Sequence, residues 1–163
     1  MSQAVVDVRL VDYRNPVHAR DLVGLLDAYA RDPAGGGTPL APQVLAALPA
    51  ALAARPQAFS VLAYDGELAV GLINCIEGFS TFACKPLVNV HDVVVLASHR
   101  GQRVAQRMLA RVEHEARARG ACKLTLEVLS GNKSALRAYE REGFANYQLD
   151  PAFGAAMFLQ KKL

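Results

Sequence analysis

Hydrophobic and polar positions alternate with a period of two in several stretches of the chain. Residues 6–11 show this period, which indicates a first strand with one buried face. Residues 59–64 and 68–76 lie on either side of Asp65-Gly66, a combination typical of a tight hairpin. Residues 87–96 are strongly apolar, which predicts a central strand.

Three stretches between these strands have helical spacing. Apolar residues recur every three or four positions in residues 16–30 and 102–119, and a further helical piece covers 42–54. Gly120 stands where a glycine commonly ends a helix. Residues 31–42 hold three consecutive glycines and several prolines, so we predict a mobile loop there.

The last third of the chain predicts a strand at 124–129 and a helix at 132–141 that Gly143 ends. Two further strands are predicted at 144–149 and 155–160. The element order β-α-α-β-β-β-α-β-α-β-β indicates an α/β (α+β) fold. We expect one domain over residues 1–163, with a mixed, mostly antiparallel sheet of about seven strands flanked by about four helices.

Composition narrows the class of protein. The chain has 163 residues, of which 52% are hydrophobic and 20% charged, enough for one substantial core. Cys75, Cys84 and Cys122 are odd in number and far apart, so neither a C-x-x-C pair nor a complete disulfide framework exists. The first residues lack the pattern of a signal peptide, and Pro49 interrupts the longest apolar stretch. We therefore expect a soluble, cytoplasmic protein without a membrane partner.

Positive charge is concentrated in one region. The net charge is only +3, but arginines cluster between positions 100 and 119. They fit either a phosphate-bearing partner or a solvated helix face. Because neither an interleaving of aromatic and basic residues nor a helix-turn-helix pattern accompanies them, we expect no nucleic-acid partner.

The junction at residues 93–105 leads from a buried strand through a short turn into an amphipathic helix. Free backbone N–H groups at such a helix start, with the positive end of the helix dipole, form a cradle for anions. A pyrophosphate would fit there. An ordinary connection between strand and helix is the alternative interpretation.

A second pattern follows at residues 132–144. Together the two resemble the GNAT acetyltransferase superfamily, whose coenzyme A turn reads Q/R-x-x-G-x-G/A and whose later helix reads N-x-x-A-x-x-x-Y-x-x-x-G-F. The helix pattern matches at every named position, which are Asn132, Ala135, Tyr139, Gly143 and Phe144. In the turn, Arg100 and Ala105 match, but Arg103 stands at the position of the invariant glycine. A side chain there is hard to accommodate if the backbone needs a positive φ, although its guanidinium could instead contact a phosphate.

The resemblance implies acetyl-coenzyme A as donor substrate and no metal. It also implies that a strand pairs with the pantetheine arm, that the turn holds the pyrophosphate, and that the later helix completes the site. The predicted donor-site residues are Val93, Val94, Val95, Arg100, Gly101, Gln102, Arg103, Val104, Ala105, Asn132, Lys133, Ala135 and Tyr139.

The resemblance further implies direct transfer of the acetyl group to a primary amine within a ternary complex. Tyr139 is the predicted general acid for the departing thiolate, although packing in the core is its alternative role. Glu127 is the first candidate for the base, since bacterial ribosomal-protein alanine acetyltransferases share its arrangement with the tyrosine. His91 is the second, and strand alternation predicts that it faces away from Asp92, a further competitor.

The acceptor is predicted only as a class, a small-molecule amine or a peptide N-terminus. We expect the helices before residue 54, the loop at 31–42 and residues 78–86 to bound its site. A non-catalytic acyl-coenzyme A sensor or regulatory module is the alternative function. A C-terminal strand at a sheet edge could pair with a second copy of the chain, which leaves a homodimer open.

Overall fold

The fold is given by a computed structural model that describes residues 5–163. The chain forms two compact units, of which the first ends at Leu126 and the second runs from Glu127 to Leu163. The first unit contains a sheet and three helices, and the second contains one helix and the C-terminal segment. That residues 1–163 act as one domain stays a prediction.

The sheet has five strands, which follow one another across it in chain order. Neighbours pair antiparallel, except the last two, which are parallel. The mixed, mostly antiparallel sheet is thereby confirmed. The strands are β1 (Asp7–Leu10), β2 (Ala58–Asp65), β3 (Leu68–Ser80), β4 (Lys85–Val95) and β5 (Leu124–Leu126).

The described residues form four α-helices, as predicted, and these begin and end close to the expected positions. Asn15 caps the first, because its Oδ1 accepts hydrogen bonds from Val17 and His18 N–H. Gly120, with φ +74°, follows the end of the third helix. The helices are α1 (Pro16–Arg31), α2 (Pro42–Ala53), α3 (Val104–Ala118) and α4 (Lys133–Arg141).

Helices cover the sheet on both faces. On one face, Leu62, Leu72 and Val94 form a cross-strand row that packs against Leu22 and Leu25 of α1. Complete removal of such side chains from water supplies the hydrophobic stabilisation of the first unit.

On the other face, two side chains of α3 pack directly over Gly71 of β3. A Cβ built on Gly71 would lie 2.8 Å from Met108 Cε and 3.1 Å from Val104 Cγ1. Both of those α3 side chains are buried. The glycine therefore leaves room for these two side chains against the sheet.

The two predicted C-terminal strands are wrong, so the sheet has five strands and not about seven. Ala156 N–H donates to Tyr147 O at 3.2 Å, yet no continuous ladder forms over residues 144–149 and 155–160. A two-stranded pair with exposed apolar side chains gains little burial, and alternation alone does not supply a partner edge. The homodimer stays a prediction, without the edge strand on which it was based.

Two further observations concern the length of the helices and the reactivity of the thiols. Within residues 5–163 there is no helix long and apolar enough to cross a membrane. All three cysteines are free thiols, and burial raises the pKa of Cys75 to about 12. That thiol is therefore a weak nucleophile.

We expect Gly71→Ala to destabilise the protein by about 1–3 kcal/mol, because the new methyl group has to displace packed α3 side chains. Gly24→Ala in α1 is the matched control. Its Cβ would have no atom within 4 Å, so it should stabilise the helix by up to about 1 kcal/mol. Denaturant unfolding measures both variants, and equal stabilities would contradict the close approach of α3.

Because of Tyr64, we expect the folded protein to lose stability in alkali. Burial, followed by the hydrogen bond to Asp21, raises the pKa of Tyr64 from 10.0 to about 12. Folding therefore favours the neutral phenol, and this contribution is complete below pH 10.0 and lost as the pH rises to about 12. We expect Tyr64→Phe to remove that part of the pH dependence of unfolding. Ultraviolet absorbance of tyrosinate should show the corresponding late titration in the unmodified chain.

Candidate active site

An extra residue interrupts the pairing of β4 with β3. Asn74 pairs with Asp92 and Cys75 pairs with Val90, so His91 has no partner position and forms a β-bulge. Bulges bend a strand and re-aim its side chains. This one lies directly before residues 93–95, the stretch predicted to bind pantetheine.

The bulge overturns the prediction that His91 and Asp92 face opposite ways. His91 Nδ1 lies 3.3 Å from Asn89 Oδ1, and Asp92 Oδ2 accepts a hydrogen bond from Asn74 Nδ2 at 3.0 Å. Asn89 pairs with Ile76, two positions from Asn74 and hence on the same face of β3. Both candidate bases therefore contact the face that α1 covers, with His91 exposed and Asp92 half-buried.

A row of hydrogen-bonded polar side chains crosses the sheet beside the apolar row. Ser60, Asn74 and Asp92 are direct cross-strand neighbours on β2, β3 and β4. Ser60 Oγ donates to Asn74 Oδ1 at 2.6 Å, and Tyr13 OH lies 2.8 Å from Ser60 Oγ. Ser60 and Asn74 are the buried polar residues of the described core. We refer to these four residues as the polar row.

The far end of the polar row borders an open groove on the surface. Tyr13 and Arg14 form one side of a space of about 610 Å³, and alanines and Pro49 of α2 line the other side. Burial raises the pKa of Tyr13, so its hydroxyl stays protonated at neutral pH.

The turn between β4 and α3 is fastened on several sides. Arg100 Nε donates to Val95 O at 3.1 Å, and its Nη2 donates to Asp32 Oδ2 at 3.2 Å. His99 lies between Ser98 Oγ at 2.8 Å and Asp65 Oδ2 at 3.2 Å. The Arg100 side chain therefore fixes the turn against β4 and against the loop after α1.

The backbone of the turn takes left-handed conformations at two positions. Gly101 has φ +76°, and Arg103, at the N-cap of α3, has φ +61° and ψ +22°. Arg103 thus adopts a left-handed backbone conformation that glycine adopts far more readily, and glycine is the residue that the family pattern has at this position. Its side chain is exposed and caps no helix N–H.

The start of α3 has amide groups available for an anion. Arg107 N–H donates to Arg103 O at 3.1 Å, the first bond of the helix. The N–H groups at positions 104–106 precede it and have no partner within the helix. Val104 is buried, while Ala105 and Gln106 are half-buried. Gln102 Nε2 donates to Ser98 O at 3.0 Å and so stabilises the same turn.

In the second unit, the residues of the helix pattern define both ends of α4. Asn132 Oδ1 accepts a hydrogen bond from Ala135 N–H at 3.1 Å, which makes it the N-cap. Gly143, with φ +87°, donates to Glu140 O, and Phe144 N–H donates to Tyr139 O at 3.0 Å. These two bonds form a Schellman motif.

The Tyr139 ring is held by this helix end. Its ring lies edge-on to that of Phe144, with 5.9 Å between the ring centroids, and the side chain is half-buried. The cap at Asn132 uses only Oδ1, so its amide nitrogen retains donors for another group. Lys133 is exposed and Ala135 is half-buried.

Glu127 does not lie on a strand, contrary to prediction. β5 ends at Leu126, which pairs with Val90, and the next position of β4 is the bulged His91. A bulge disrupts the ladder locally, and the pairing with β5 ends where this bulge begins. Glu127 is exposed and belongs to the second unit.

Sequence reasoning missed three members of the polar row: Tyr13, Ser60 and Asn74. Ser60 and Asn74 are polar residues in the otherwise apolar strands β2 and β3, and this pattern could have marked them as candidates. Their alignment with Asp92 depends on strand register, which the sequence pattern does not specify at a bulge.

Among residues 5–163, no group of three His, Cys, Asp or Glu side chains could hold a metal ion. The Acetyltransferase (GNAT) family profile matches residues 22–144. The chain therefore belongs to the GNAT acetyltransferase family.

A curated relative is similar over part of the chain. The chain is 35% identical to a streptothricin acetyltransferase from Streptomyces lavendulae over 88 residues, which are 52% of this chain and 47% of that protein. The match thus spans about half of the relative's length.

Solved structures share the fold. A ribosomal-protein-alanine N-acetyltransferase from Brucella melitensis superposes with a TM-score of 0.76 at 19% identity, covering 97% of this chain and 100% of that one. An aminoglycoside N-acetyltransferase in complex with CoA gives 0.73 at 17% identity, covering 97% and 95%. At these identities the likeness concerns the fold alone.

We expect Arg103→Gly to stabilise the protein by about 0.5–1 kcal/mol, because glycine adopts a positive φ without steric cost. Arg107→Gly, in the helical part of α3, should instead destabilise it by about 1 kcal/mol. Thermal and denaturant unfolding of the two variants test this contrast. If the Arg103→Gly protein were less stable, the arginine side chain would stabilise the turn by more free energy than its left-handed backbone costs.

Proposed function

We propose that this protein is an acetyl-coenzyme A-dependent N-acetyltransferase that moves an acetyl group directly to a primary amine. The observation that carries the proposal is the β4–turn–α3 unit. It presents unpaired helix amides directly after a bulged strand, within a chain of the GNAT family.

The donor would bind along this unit. The N–H groups at 104–106 and the helix dipole suit the pyrophosphate, and the exposed Arg103 adds a positive charge beside them. Backbone groups of Val93, Val94 and Val95 would pair with pantetheine. Arg100, Gly101 and Gln102 would shape the turn.

The second unit would supply further contacts. The Asn132 amide nitrogen is suited to a pantetheine carbonyl, while Lys133 and Ala135 stand at the start of α4 near that cap. Tyr139, oriented by the Schellman motif, would be the general acid.

The reaction needs no covalent enzyme intermediate. The neutral amine attacks the thioester carbon, a C–N bond forms, and the C–S bond breaks as a fixed strand amide stabilises the oxyanion. The thiolate takes a proton from Tyr139, and Glu127 or His91 takes the proton that the amine loses. Both candidate bases are exposed to solvent, which permits transfer through water.

The acceptor would be a small-molecule amine or a peptide N-terminus. One similar protein is named for the acetylation of streptothricin, and a second for that of aminoglycosides. A third is named for the acetylation of a ribosomal-protein alanine. A curated relative of similar sequence is named as an acetyltransferase, which favours an enzyme over a non-catalytic acyl-coenzyme A sensor.

We expect Tyr139→Phe to lower kcat about 100-fold or more, with little change in the KM for acetyl-coenzyme A, because only proton donation is lost. Release of free thiol in the presence of streptothricin, neamine, spermidine or an alanine-initiated peptide measures the rate.

Tyr147→Phe is the matched control, since that tyrosine belongs to the same unit and is 58% exposed. It should leave kcat unchanged. Acetyl-coenzyme A binding without transfer to any of these amines would favour the sensor instead.

A further inference from the structure

The hydrogen bonds of the polar row all point the same way. Ser60 Oγ–H is committed to Asn74 Oδ1, so Ser60 accepts from Tyr13 OH. Asn74 in turn donates from Nδ2 to Asp92 Oδ2. Each donor is polarised by the next, and the chain of bonds ends on a carboxylate.

The Asp92 carboxylate determines the orientation of the Asn74 amide, because an ionised carboxylate only accepts hydrogen bonds. If the O and N of the amide were exchanged, two acceptors would face each other, the Asn74 carbonyl oxygen and the Asp92 carboxylate. The observed arrangement satisfies every group at distances of 2.6–3.0 Å. Asp92 Oδ2 is therefore fixed, and no other hydrogen bond to the Asp92 carboxylate occurs within the described residues.

Stability alone does not explain such a row. The adjacent row of Leu62, Leu72 and Val94 shows how this face packs where only burial matters. Replacing a satisfied polar network by apolar side chains of similar shape is often neutral or stabilising. A polar row that ends on a half-buried carboxylate is therefore better explained by a ligand.

The carboxylate stands at the reacting end of the proposed donor site. The pyrophosphate cradle follows Val95, so pantetheine would run from the turn back along β4 toward Val93. Asp92 is the next residue, about 3.3 Å further along the strand. Burial, followed by the charge of Asp92, raises the pKa of Tyr29, which indicates that the carboxylate lies within electrostatic reach of the end of α1.

We propose that Asp92 binds the ammonium group of the acceptor, and that Tyr13, Ser60 and Asn74 are positioning residues that hold its carboxylate in place. The proposal rests on the proposed N-acetyltransferase function and names the residue that binds the charged group of its acceptor. Primary amines are protonated near neutral pH, and a fixed carboxylate oxygen is a strong partner for an ammonium group. The base removes the proton after binding.

The test is steady-state kinetics with acetyl-coenzyme A and streptothricin, neamine, spermidine and an alanine-initiated peptide. With the amine that reacts best, Asp92→Asn should raise the amine KM roughly 10- to 100-fold. The KM for acetyl-coenzyme A should stay within about twofold, because the donor makes no contact that depends on this charge. Asp7→Asn is the matched control, an exposed carboxylate on β1 that pairs with Arg9.

Tyr13→Phe tests the positioning residues separately. It removes one hydroxyl from a half-buried ring, so it should fold even if Asp92→Asn does not, which circular dichroism checks. We expect a two- to tenfold rise in amine KM, roughly what one hydrogen bond contributes, with the KM for acetyl-coenzyme A unchanged. A purely structural role would change both KM values or only the stability.

Failure of this proposal differs from failure of the proposed function. If the unmodified protein acetylates an amine and folded Asp92→Asn keeps the same amine KM, Asp92 does not bind the ammonium group. An unchanged amine KM in Tyr13→Phe would overturn the positioning role. If none of the four cations is acetylated although acetyl-coenzyme A is bound, the cationic acceptor is overturned together with the transfer activity.

Discussion

A one-residue bulge in β4, opposite β3, determines how the strands around the candidate site are aligned. His91 occupies the bulge, and the ladder with β5 ends at Val90, the residue before it. Beyond the bulge, Asp92 comes into line with Asn74 and Ser60, so a polar row replaces an apolar one. Without the extra residue, Asp92 would point to the opposite face, and the bonds from Tyr13 to Asn74 would have no carboxylate at their end.

The same strand leads into the turn that presents the α3 amides. Arg103 holds a left-handed backbone there, while Arg100 and His99 fasten the turn to β4, to the loop after α1 and to the hairpin of β2 and β3. Gly71 lets the first turns of α3 lie close to β3. The position of the amides thus follows from contacts outside the turn as much as from its own residues.

The family pattern at residues 132–144 has a structural meaning of its own. Its asparagine is the N-cap of α4, and its glycine and phenylalanine form the Schellman motif that ends the helix. The tyrosine between them packs on that phenylalanine. Because these residues cap both ends of the helix, the sequence predicted the ends of α4 accurately. Tyr139 is the member whose hydroxyl the capping does not require.

Periodicity and capping residues determined by themselves where the four helices and five of the predicted strands lie, since both are properties of neighbouring residues. They also indicated the family, through motifs whose spacing is local. Three features needed the tertiary structure: the absence of strands after residue 144, the end of β5 before Glu127, and the shared face of His91 and Asp92. Each depends on which residue of a distant strand lies opposite, and that register is decided by backbone pairing and packing across the sheet, which no local pattern contains.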